Sequence, residues 1–117
     1  MQTLYETKQK IQEDPDHWII HLMNFVDDFR YYRQESAIAE PFALSDAKMD
    51  ALLASTAEYL CEELGLEPPA WLSEVPAVPE PWFVSGLENL KAITLVETPV
   101  WFRVRKIFVL ENFLSRV

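Results

Sequence analysis

Residues 45–65, SDAKMDALLASTAEYLCEELG, decide the fold. Met49, Leu52, Leu53, Thr56, Ala57, Leu60 and Leu64 recur at intervals of three and four, the repeat of a helix face and not the alternation of a strand. Ser45-Asp46 supplies an N-cap with an acid in the first turn, and Gly65 is placed to end the helix in the left-handed conformation. Start, period and stop agree, and the spacing predicts a central helix over 45–66.

Toward the N-terminus, Ile20, Met23, Phe25, Val26, Phe29 and Tyr32 fall at helical spacing between Asp16 and about Ala39, which predicts one long helix. Trp18, Ile19, Leu22 and Tyr31 widen its apolar stripe, so it is expected to be central and to pack against several neighbours. Glu40-Pro41 ends it, because proline disfavours a helical residue before it. Before Pro15 the series Leu4, Tyr5, Lys8 and Ile11 is sparse and supports only a short helix.

Toward the C-terminus, Pro68, Pro69, Pro76, Pro79 and Pro81 make 67–84 a stiff connector, with a short helical turn at Ala70-Trp71-Leu72 and no strand inside a sheet. Trp71, Val75, Val78, Trp82 and Phe83 are too apolar for a free linker, so the connector should be ordered against the core. Ser85-Gly86-Leu87-Glu88 has the form of a capping box opening a helix that carries Leu87, Leu90, Ile93, Leu95 and Val96. Thr98-Pro99 repeats the start signal for a short helix to about Arg105. Ile107-Phe108-Val109 reads as extended or irregular before a last turn at 111–115. The expected fold class is all-α: a single-domain irregular bundle of five or six helices over 1–117, with N-terminal helices in 1–44 and C-terminal helices in 85–117.

Composition agrees with one folded domain. Half of the 117 residues are hydrophobic and 13% are aromatic, and only 2 Gly stand against 8 Pro, which excludes a disordered acidic tail or a glycine-rich repeat. Nothing in the sequence approaches a membrane span, and Met1-Gln2-Thr3-Leu4-Tyr5-Glu6 lacks the features of a signal peptide, so a cytoplasmic location is expected.

The formal charge is −9, from 19 acidic and 10 basic residues. Residues 51–97 hold eight glutamates against Lys91, whereas 98–117 hold Arg103, Arg105, Lys106 and Arg116 against Glu111. An acidic middle disfavours phosphate-driven binding of nucleic acid and suits a protein partner with a basic surface. The candidate partner contacts are Glu62, Glu63 and Glu67, the aromatic pair Trp82 and Phe83, and the basic Arg103, Arg105 and Lys106.

Chemistry-bearing patterns are sparse. His17 and His21 share a helix face, as two zinc ligands would, but Trp18 stands where a zincin needs its glutamate. Any metal site there would draw on Glu13, Asp14 or Asp28, and we assign none. Adjacent Asp27 and Asp28 point about 100° apart on a helix and do not form an acid/base pair. Cys61, the sole cysteine, lies on the flank of its helix with no sequence-adjacent base. With only Gly65 and Gly86, no phosphate-cradling loop exists, and no cofactor is implied.

From about Leu60 to Val117 the sequence carries Leu64-Gly65-Leu66-Glu67-Pro68-Pro69-Ala70-Trp71, Glu80-Pro81-Trp82-Phe83, and Thr98-Pro99-Val100-Trp101-Phe102-Arg103-Val104-Arg105-Lys106-Ile107-Phe108-Val109. This half of the chain resembles the tail segment of small bacterial helix-turn-helix, antitoxin-like proteins. The resemblance implies a binding protein of a toxin-antitoxin or regulatory pair, not an enzyme, with Trp and Phe building a compact module and Arg103, Arg105 and Lys106 serving a partner or capping the fold. Residues 1–45 show a long aromatic helix in place of three short ones with a basic recognition face, so the resemblance does not extend to DNA binding. The leading expectation is a non-enzymatic protein-binding module. The alternatives are a homodimer joined through Trp18, Ile19, Leu22 and Tyr31, and a small metal-dependent enzyme using His17 and His21.

Overall fold

The fold is given by a computed structural model, described here for residues 1–115. Helix α3, Ala47–Leu64, is the element around which the rest is built. Every residue from Asp50 to Glu58 is buried, so the helix is enclosed well beyond the single face that the spacing of its larger residues marks. Ala51, Ala54, Ser55 and Ala57 make this enclosure possible, because small side chains let neighbouring elements approach the helix backbone. Asp46 accepts the Met49 N–H at 3.2 Å, and Gly65 closes the helix at φ 70°, as the spacing predicted.

Helix α1, Leu4–Glu13, opens with a capping box between Thr3 and Glu6 and buries Leu4, Thr7, Lys8 and Ile11. Helix α2, Trp18–Tyr32, is shorter than expected: Arg33 turns left-handed at φ 53° and a 3-10 turn follows at Glu35–Ile38. Its buried row is Leu22, Phe25, Val26 and Phe29, while Ile20 and Tyr32 face outward. The central position expected for this helix belongs to α3, which contacts α1, α2 and the C-terminal elements. One buried cluster draws on residues from Leu4 to Leu114.

The molecule is mostly helical but not strictly all-α. Trp82–Phe83 (β1) and Ile107–Phe108 (β2) form a short parallel pair, in register Trp82↔Ile107 and Phe83↔Phe108. Val78, Trp82 and Val84 donate to the carbonyls of Arg105, Lys106 and Phe108 at 2.9–3.1 Å. Pro79 and Pro81 lie between the donating residues, so their missing N–H groups cost this ladder nothing. A parallel pair needs a crossover, and here it contains helix α4, Lys91–Glu97, and helix α5, Val100–Arg103.

Two expected caps are replaced. Gly86 is left-handed at φ 68° and turns the chain, so Ser85 bonds only to the Leu87 N–H and α4 begins after a 3-10 turn at Glu88–Leu90. Thr98 does not cap α5; its buried hydroxyl accepts the Val109 N–H and donates to the Thr94 carbonyl, tying α4 to the residue just after β2. Residues 110–115 form turns, and Arg116 and Val117 lie outside the described residues.

Candidate functional site

The eight candidate contacts differ in how far the fold leaves them exposed. Arg105 is the clearest correction, since it is buried and wholly engaged inside the fold. Its guanidinium pairs with Glu58 and donates to Ser55 Oγ, Val75 O and Leu72 O, because the close pass of the connector over α3 leaves backbone carbonyls that a flat five-donor group can satisfy. It therefore clamps the connector and is not a partner contact. Trp82 and Phe83, the aromatic candidates, are held by packing within the fold. Both are half-buried, Trp82 packing on Trp18 at 6.3 Å and Phe83 stacking on Phe108 at 5.0 Å, because strand pairing fixes their orientation.

The other five are exposed, but most have intramolecular partners. Glu62 accepts the Trp101 indole N–H, and Glu63 takes Arg30 in a two-pronged pair at 2.8 and 2.9 Å that raises the guanidinium's pKa. Arg103 turns back to the Thr98 and Val96 carbonyls at 2.9 and 3.2 Å, where the end of α4 favours positive charge. Glu67 and Lys106 are exposed, Lys106 at φ 64°.

His17 and His21 do meet one of the carboxylates considered for them. Asp14 faces His17 Nδ1 at 2.9 Å and His21 Nε2 at 3.0 Å, and these two hydrogen bonds hold its pKa below the usual carboxylate value. Among the described residues no group of three or more His, Cys, Asp or Glu is arranged to hold a metal ion. Cys61 is buried, and burial, with Glu35, Glu58 and Glu67 nearby, raises its pKa to about 11. Burial thus favours the protonated thiol, which packs in the core. The surface proposed for a homodimer is partly consumed by the fold: Leu22 is fully buried and Trp18 packs on Trp82.

The feature that sequence reasoning missed lies on α4 and α5. In α4 the buried residue is Thr94, while Ile93, Leu95 and Val96 are 46%, 50% and 80% exposed. Val100 and Val104 continue the apolar exposure onto α5, which is joined to α4 where Arg103 reaches the Val96 carbonyl. The available signal was angular: Leu95 stands about 200° from Ile93 on a helix, too far for both to face one core. Ile93 and Glu97, one turn apart, border an open cleft of about 640 Å³ completed by Tyr59, Leu110 and Glu111. The Glu97 carboxylate accepts the Glu111 N–H at 3.2 Å, which brings the 110–115 turn alongside α4.

This is a mostly helical domain with an unpaired apolar face beside an acidic cleft. Set against protein-family profiles, curated protein sequences and solved structures, the chain shows no significant match. No helix among the described residues is long and apolar enough to cross a membrane.

Proposed function

We propose that the chain is a non-enzymatic protein-binding module whose partner docks on the α4–α5 side. The observation that carries this reading is the inverted burial of α4, with threonine inside and three apolar side chains outside. Apolar surface left outside a completed core gains free energy when another chain covers it. The acidic bias of residues 51–97 favours a partner with a basic surface, since complementary charge steers encounter and rejects competitors. The resemblance of residues 60–117 to antitoxin-like tails makes a basic toxin-type protein the first partner to test.

The test is co-purification from the native host with the tagged wild-type chain and with Val96→Asp. A stoichiometric partner recovered with wild type and lost with the variant, at unchanged helical content, supports the reading. Equal recovery with both removes α4 from the interface.

A further inference from the structure

We infer that the α4 face takes a basic amphipathic helix, which seats apolar side chains on Ile93, Val96 and Val100 and places a lysine or arginine in the cleft between Glu97 and Glu111. The inference rests on the protein-binding reading and specifies its partner.

Three independent features combine. Ile93 and Val96 are three residues apart on α4 and share a face, and Val100 is also exposed at the start of α5; this spacing matches the three-and-four spacing of apolar anchors on a helix. The row meets a cleft of about 640 Å³, within the usual range of a binding pocket and ample for one long side chain. Among the described residues, those lining that cleft include two carboxylates and no cation, with the half-buried Tyr59 among them. A lysine or arginine suits such a cleft, because its methylene stem packs on apolar walls while its charged head reaches the carboxylates.

Among the described residues, the cations of α4 and α5 are engaged elsewhere. Lys91 pairs with Glu88 at 3.0 Å and stands over the Phe83 ring, and Arg103 is held at the carbonyls of Val96 and Thr98. An acidic or purely apolar helix would leave Glu97 and Glu111 without a counter-charge on closure, which disfavours both.

The experiment titrates the full chain with three synthetic peptides: an amphipathic leucine-lysine helix, the same peptide with glutamate in place of lysine, and a scrambled peptide of the first composition. Calorimetry gives affinity and amide NMR shifts give location. Expected is saturable binding of the leucine-lysine helix alone, with shifts at Ile93, Glu97 and Glu111. The Glu97→Gln/Glu111→Gln variant, which keeps the acceptor for the Glu111 N–H, should bind about tenfold more weakly and lose most of the salt dependence. Failure of wild type to bind that helix, or equal binding of the glutamate peptide, overturns the inference.

If Val96→Asp abolishes binding while the double carboxamide variant does not, the docking face stands and the basic anchor falls. If neither variant matters, both fall. Self-association of the chain that Val96→Asp removes would make a second copy the occupant and also overturn the inference.

Discussion

Arg105 and Glu58 form an ion pair inside the protein, with side chains only 6% and 10% exposed. The pair joins the segment between α5 and β2 to the middle of α3, and the same guanidinium holds the carbonyls of Leu72 and Val75. One side chain thus fastens the connector and the C-terminal segment to the central helix. Arg105→Ala strands the Glu58 carboxylate and the Val75 carbonyl, and should cost about 3–5 kcal/mol by urea unfolding. Arg105→Lys should recover only a part, since an ammonium cannot reproduce the fork of donors. A loss under about 1 kcal/mol for the alanine variant would show that the clamp does not hold the connector.

Lys8 and Asp50 make the second buried pair, at 2.7 Å, and the two partners should not be equivalent. The other Asp50 oxygen accepts the Ser45 and Asp46 N–H groups at 2.8 and 3.2 Å, so this carboxylate also closes the first turn of α3. Asp50→Ala should therefore destabilise by roughly 1 kcal/mol more than Lys8→Met. Equal losses in chemical denaturation would argue that the ion pair alone matters.

Cys61 should be inert in the native state and reactive once unfolded, as timed with a disulfide-exchange reagent before and after urea. Its pKa rises from 9.0 to about 11 on folding, so the folded protein keeps the proton that the unfolded chain releases. The full contribution is present below pH 9 and is lost as pH rises toward 11, making stability fall across that window. Cys61→Ala should flatten that part of the alkaline profile. Rapid labelling of the native thiol would contradict its burial.

Asp14 works at the other end of the pH scale. Its lowered pKa means that its contribution is present above the ordinary value of 3.8 and disappears as acid protonates it. Melting temperature followed from pH 5 downward should fall more steeply for wild type than for Asp14→Asn. The pair with His17 is exposed, so added salt should shrink the difference. Parallel profiles for the two proteins would show that the hydrogen bonds seen here do not affect stability.

Gly65 ends α3 at φ 70°, where a side chain is strained even though nothing lies within 4 Å of an added Cβ. Gly65→Ala should cost about 1 kcal/mol from backbone strain alone. Arg33 occupies a similar conformation at φ 53°, so Arg33→Gly should be close to neutral. A neutral Gly65→Ala would mean that the end of α3 relaxes without loss.

The sequence by itself determined α3, its N-cap, its Gly65 stop and the ordered proline connector, because each depends on residues adjacent in the chain. Helical period, capping and proline geometry are local, and local chemistry is readable. Only the tertiary structure decided that α2 stops at Tyr32, that Ser85 caps nothing, and that Trp82 and Phe83 pair with a strand some 25 residues on. Those outcomes depend on which distant backbone donors and acceptors meet, which no local pattern encodes. The candidate surface divided in the same way. Charge bias was legible, but Arg105 reads like Arg103 until the fold turns one inward onto Glu58 and leaves the other outside, beside an apolar α4 whose burial was already taken by Thr94.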